Sequence, residues 1–299
     1  MARLTLPQLE ARCQKLEHRR LGNWLARRVA RPAALRVTWL IAPWGISAHA
    51  ATLAAWGIGL CACAAFAQGT IAGWLMGSVL LPLWYLLDHV DGQLARLRGQ
   101  ASLDGVQLDY LMHHTLNLLL PVGLGWGLAA LHVEPLWLLA GGACGLCLLL
   151  AGLLHDTRYK AFVQRLKLVR GELRLLGGGG GRPTPPMPPP RTASRLAMWL
   201  TRKACEPHVM LAVLVPLSVA QGIMGDTTLL AGRCYLLLMT LLAALLAGIT
   251  LVRSVQHQAA EQEFAAWFQP PPGCELHYAD GWWHVVAAGG SCRAVSDRE

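Results

Sequence analysis

Apolar residues in this chain mostly run on without interruption. Stretches of about 20 residues with almost no charge fall near 48–66, 74–91, 108–131, 136–154, 208–224 and 228–251. A helix of about 20 apolar residues crosses a ~30 Å hydrocarbon core, so the pattern predicts an all-α integral membrane protein with six transmembrane helices. The segment before them reads differently. Leu21, Trp24, Leu25 and Val29 share one helical face, while Arg19, Arg20, Arg27, Arg28 and Arg31 can reach anionic headgroups, the pattern of an amphipathic interfacial helix. Trp39 and Trp44 then lead into the first apolar run, where aromatic residues favour the membrane boundary. Five regions follow: 1–46 juxtamembrane, 47–154 carrying spans one to four, a basic insertion at 155–207, 208–252 carrying spans five and six, and a tail at 253–299.

The insertion opens with a basic stretch, Tyr159 to Leu176, that reads as helix. It breaks at Gly177–Gly181 and Pro183–Pro190, a linker composition, and resumes as a basic amphipathic segment from Arg191 to Lys203. In the tail, apolar residues alternate from Cys274 to Val286 around Ala279-Asp280-Gly281, which predicts a small hairpin. Gly73-x-x-x-Gly77 and Gly141-x-x-x-Gly145 have the spacing that lets helix backbones approach in lipid.

Composition and charge sharpen this picture. Of 299 residues, 54% are hydrophobic and only 14% charged, against about 25% charged in a soluble domain; an ordinary soluble enzyme is excluded. Lys and Arg outnumber Asp and Glu 26 to 17. Nine of the basic residues lie in residues 1–40, two (Arg96, Arg98) between spans two and three, eleven in 155–207 and three after span six; Arg233 alone falls on the other side. Such an excess marks the cytosolic side. Both termini and the insertion are therefore expected in the cytosol, the protein in the plasma membrane (the inner membrane of a bacterium), and the basicity to concern membrane lipids, with no nucleic acid partner. Cys61, Cys63, Cys144, Cys147 and Cys234 sit in apolar runs and read as packing residues, the Cys144-x-x-Cys147 pair included.

Chemistry concentrates in one place. Asp88, Asp91, Asp104 and Asp109 lie at the cytosolic ends of spans two and three, where a buried ionisable group is costly unless paired or metal-bound. Asp88 and Asp91 are one helical turn apart, and Gly105, Asp109, His113 and Asn117 repeat every four residues along one face of the next helix. Brought together, these faces would form a cup of hard oxygen ligands suited to Mg²⁺ or Mn²⁺. Asp104 falls off that face and reads as a loop acid.

The run Asp88-x2-Asp91-Gly92-x2-Ala95-Arg96-x8-Gly105-x3-Asp109-x3-His113 resembles the signature of the CDP-alcohol phosphotransferase (CDP-alcohol phosphatidyltransferase) family, D-x2-D-G-x2-A-R-x8-G-x3-D-x3-D, at every fixed position but the last. Ser47-Ala48-His49-Ala50-Ala51-Thr52 is similar to the P-N-x-x-T start of the family's first span, with Ala48 and His49 substituted. The resemblance implies metal-dependent transfer of a phosphatidyl or phosphoalcohol group from CDP-diacylglycerol or a CDP-alcohol to an acceptor alcohol or lipid, releasing CMP in phospholipid biosynthesis. It makes Asp88, Asp91 and Asp109 ligands of a two-metal site; Gly92, Ala95, Arg96, Gly105 and Thr52 nucleotide and phosphate contacts; and His113 the residue in the position of the base. It also implies a homodimer. His155, Asp156, Arg158 and Lys160 follow span four and are candidate acceptor contacts, the plainer reading of their charge being a positive-inside anchor. Because the final Asp is replaced, a second reading stands beside the first: a catalytically impaired relative that binds CDP-donor or lipid in a regulatory role.

Overall fold

The computed structural model describes residues 4–15, 18–20, 22–176 and 189–288. Helices α1 (Leu6–Cys13) and α2 (Arg31–Ile41) precede α3 (Ala48–Phe66), α4 (Ile71–Leu97), α5 (Leu103–His132) and α6 (Pro135–Lys167); α7 (Ala193–Ala204), α8 (Pro207–Met224), α9 (Leu230–Gln256) and α10 (Ala259–Trp267) complete the helical set. Of these, α3, α4, α5, α6, α8 and α9 are long and apolar enough to cross a membrane. The protein is an all-α membrane protein with little sheet.

Several of these helices outrun the predicted spans, chiefly toward the basic side. Hydropathy locates the hydrocarbon, whereas a helix continues until its backbone is stopped. Here the stop after α4 is Gly99, at φ +63°, and Ser102 starts α5 by accepting the Gly105 N–H at 3.1 Å. Gly92, Ala95, Arg96 and Gly105 of the motif lie in these extra turns, while Asp88, Asp91, Asp109 and His113 lie within the predicted spans.

The juxtamembrane segment is helical from Trp24 through a π-helical stretch, Ala26–Ala30, into α2. Trp24 and Trp44 point outward, 63% and 68% exposed. The sequence reading missed a second face: Ala26, Ala30, Ala34 and Thr38, four residues apart, are all buried. Ala34 packs in one cluster with Val90 and Leu94 of α4 and with Ala48 and Ala51 of α3. Thr38 Oγ1 donates to Gln93 Oε1 at 2.9 Å beneath them. Small residues thus dock the arm on the polar end of α4.

Both small-residue motifs sit at helix crossings. A Cβ on Gly141 or Gly145 would press on the carbonyl oxygens of Pro121 or Leu118 in α5; one on Gly73 or Gly77 would press on Ala65 or the Phe66 ring in α3. The tightest approach of α5 to α3 uses Gly123 and Gly127, which face the Cys63 and Phe66 carbonyls. Arg233, the lone basic residue outside the charge pattern, lies over the Trp137 ring at 4.9 Å. The eight described cysteines are all free.

The chain divides into two compact units, Met1–Leu150 with Pro183–Ala247, and Ala151–Arg182 with Gly248–Glu299. In the second, the helix expected to reach Leu176 ends at Lys167. Strands β1 (Val169–Arg170) and β2 (Arg174–Leu175) follow it, flanking Gly171 at φ +111°. They pair with tail strands: β2 antiparallel to β3 (Phe268–Gln269), and β1 parallel to β5 (Trp282–Ala287), which closes the expected hairpin with β4 (Cys274–Ala279). Asp280 and Gly281 both have positive φ, as a tight two-residue turn requires. Arg165 lies over the Phe264 and Trp283 rings and pairs with Glu261. These partners lie about a hundred residues away in the chain, so the local pattern of 168–176 shows only its helical content. The expected linker lies outside the described residues except at Pro189 and Pro190, and the segment after it forms α7.

Candidate active site

The short connection 98–102 lays the end of α4 beside the start of α5. His113 Nε2 stands 3.1 Å from Asp88 Oδ1 and 3.4 Å from Asp109 Oδ1. One ligand atom from each of Asp88, Asp109 and His113 can be chosen so that all lie within 4.8 Å of one another. Asp88 Oδ1 is buried and, beyond that 3.1 Å approach of His113 Nε2, has no hydrogen-bond partner among the described residues. On the other side of the carboxylate, Oδ2 lies 3.5 Å from His89 Nδ1, which donates to the Tyr85 carbonyl at 2.9 Å. A buried carboxylate oxygen beside a second carboxylate and an imidazole is a donor set that fits a divalent cation. The Trp84 ring meets the His113 ring edge-on at 5.7 Å and limits its tilt.

Asp91, one turn from Asp88, stands outside that group. It is only 8% exposed, and its Oδ2 accepts from Thr52 Oγ1 at 2.7 Å. Periodicity places Asp91 and Asp88 on one face of α4; the packing of α3 against α4 gives Asp91 a neighbour that spacing does not reveal. Asp104 is exposed in the first turn of α5, where its charge suits the helix N-terminus.

These groups share one cleft of about 350 Å³. Gly92, Ala95, Arg96, Gly105 and Thr52 all line it, together with the four motif residues Asp88, Asp91, Asp109 and His113. The small residues leave room: a Cβ on Gly105 would stand 3.3 Å from Ser102 Oγ and 3.5 Å from His49 Nε2, and one on Gly92 would stand 3.3 Å from the Arg96 guanidinium. Arg96 Nε donates to the Cys13 carbonyl, and Arg98 is anchored on the carbonyls of Ala42, Gly45 and Ile46. Both arginines tie the juxtamembrane arm to the end of α4.

That arm adds residues the motif search missed. Gln14, Lys15 and Arg31 line the same cleft, as do Gln93 and His49. Burial, and then the like charges of Arg96 and Arg31, lower Lys15 from the usual lysine value, with Asp109 and Asp88 pulling the other way. The only sequence signal for this was the density of cations before the first span. His155, Asp156, Arg158 and Lys160 belong to the second unit, where Arg158 pairs with Glu263 at 2.9 Å and His155 packs edge-on against Tyr159. Every residue lining the cleft belongs to the first unit.

No curated protein matches the chain. Residues 45–169 match the family model described as CDP-alcohol phosphatidyltransferase. That segment holds α3 to α6 and the whole acidic motif, so it is over these four helices that the chain is similar to the CDP-alcohol phosphatidyltransferase family.

Proposed function

We propose that the protein is a metal-dependent CDP-alcohol phosphotransferase working at the cytosolic face of the plasma membrane. It moves a phosphatidyl or phosphoalcohol group from CDP-diacylglycerol or a CDP-alcohol to an acceptor alcohol and releases CMP. The family match supports the reaction class, transfer of phosphoalcohol groups from CDP-alcohols in lipid synthesis. The observation that carries the rest is the convergence of Asp88, Asp109 and His113 at the cleft that Gly92, Arg96 and Gly105 line.

In this reading Asp88, Asp91 and Asp109 hold Mg²⁺ or Mn²⁺, which supplies positive charge to the attacked and leaving oxygens of a displacement at phosphorus. Gly92 and Gly105 let the nucleotide lie against helix backbone, and Arg96 and Lys15 answer its diphosphate. Thr52 holds one Asp91 oxygen in place. His113 Nε2 accepts the proton of the acceptor hydroxyl, the role its position in the motif suggests. His155, Asp156, Arg158 and Lys160 are carried as acceptor-side contacts on sequence position alone.

The test is CMP release by the purified protein from CDP-diacylglycerol and CDP-alcohols, across a panel of acceptors, with and without Mn²⁺. Metal-dependent turnover is expected. A second reading, a regulatory binder, draws on the contact of His113 Nε2 with both carboxylates, which pairs the acids without a metal. Saturable CDP-donor binding with no CMP from any pair would establish it over the first.

A further inference from the structure

A second concavity lies along the juxtamembrane arm. It is a groove of about 580 Å³ whose walls come from α1, the turn at His18 and Arg19, the π-helical stretch and the start of α2, and it shares only Gln14 and Arg31 with the catalytic cleft. Five arginines line it: Arg19, Arg27, Arg28, Arg31 and Arg36. The one acid in its wall, Glu10, is already engaged, accepting from His18 Nε2 at 2.8 Å and from Arg19 Nη2 at 2.9 Å. Arg27, Arg28 and Arg36 have no carboxylate partner among the described residues. The Nε of Arg27 is moreover buried without a hydrogen-bond partner, a donor kept from water that the protein itself leaves unanswered.

Guanidiniums crowded into one groove repel each other unless an anion lies among them. Their fork of N–H donors matches the oxygens of phosphate. The groove is not purely polar, however: Leu6, Pro32 and Leu35 form part of its wall. Trp24, Leu40 and Trp44, on the same stretch of chain, are exposed as residues of a membrane interface are. A free phosphate has no use for an apolar wall, whereas a lipid headgroup brings glycerol and acyl carbons with it.

We propose that this groove is a binding site for the phosphodiester headgroup of an acidic phospholipid, separate from the catalytic cleft. The site organises what the sequence shows as a diffuse positive face into one pocket with a buried donor. Arg31, in both walls, makes it contiguous with the cleft. The proposal concerns binding and stands whether or not the cleft turns over.

The full chain, purified in a neutral detergent, is titrated with phosphatidylglycerol, with phosphatidylcholine of the same chains and with glycerol phosphate, and bound lipid is counted by native mass spectrometry. Phosphatidylglycerol is expected to bind at least about tenfold more tightly than phosphatidylcholine, roughly 1.4 kcal/mol. Glycerol phosphate should not displace it at comparable concentration. Arg36→Gln on the exposed rim, and the double variant Arg27→Gln with Arg28→Gln, should each remove most of that preference and leave phosphatidylcholine binding unchanged. Should the double variant fail to fold, Arg36→Gln decides. Equal binding of the two lipids, displacement by glycerol phosphate, or unchanged preference in Arg36→Gln overturns the site.

Discussion

Thr52 of α3 donates a 2.7 Å hydrogen bond to Asp91 of α4, so one carboxylate of the acidic motif is held by the first span as well as by its own helix. A hydrogen bond to a charged group contributes about 1.5–3 kcal/mol. Thr52→Val keeps the shape and removes the donor, and kcat for CMP release is expected to fall roughly 10- to 100-fold. Thr52→Ser should keep most of the rate. Steady-state kinetics check this, and a Thr52→Val enzyme as fast as wild type would separate Asp91 from the chemistry.

Asp88→Asn and Asp109→Asn are each expected to abolish turnover, because an amide cannot replace a hard anionic ligand in a shared cation site. Asp91→Asn should do the same by the family motif, although Asp91 stands outside the three-residue group. Mn²⁺ titration of activity and of intrinsic fluorescence distinguishes lost metal from lost fold. Near-normal activity in any one variant at saturating metal would make that residue a bystander.

His113→Ala is expected to lower kcat by about 10²–10⁴-fold, the size of a general-base contribution, with CDP-donor binding largely kept. His113→Asp, which restores the family residue, should recover part of the loss. If wild type releases no CMP with any substrate pair while His113→Asp does, the histidine marks lost activity instead.

Orientation is open to cysteine labelling in a cysteine-free background. Reporters at Gln68 and Val133 should react only from outside, and one at Ser194 only from the cytosol. Gln68 serves where Gly69 would not, because a side chain at Gly69 would run into the Gly127 backbone. Labelling of Ser194 from outside would reverse the topology and the placement of the site.

The juxtamembrane arm should loosen in acid. Burial raises the Glu10 pKa, but hydrogen bonds and charge from His18 and Arg19 outweigh it and hold the carboxyl below its ordinary value of 4.5. A lowered folded pKa contributes stability above the unfolded value and loses it as pH falls through the folded one. Wild type and Glu10→Gln should therefore differ in melting temperature at neutral pH and converge as pH falls below 4.5 and through the lowered folded value. A constant difference from pH 7 to 3 would count against the pairing.

Much of this architecture was legible in the chain because its causes are local. Six helices follow from runs of apolar residues long enough to span lipid, and the tail hairpin follows from alternation around Asp280-Gly281. The motif residues were visible because helical spacing alone places Asp109 and His113 on one face, and because seven of the eight signature residues stand at the fixed gaps. What only the tertiary structure decided depends on which helix lies against which. Gly123 and Gly127 of α5 became a contact surface once α3 lay on them; Thr52 became the partner of Asp91 once α3 lay on α4. Lys15 and Arg31 reached the cleft because Ala26, Ala30, Ala34 and Thr38 are small enough for the arm to dock. The strands after Lys167 exist because residues 268–287 supply their hydrogen bonds. Periodicity reports the surface a segment offers, and the partner for that surface is set by packing between residues far apart in the chain.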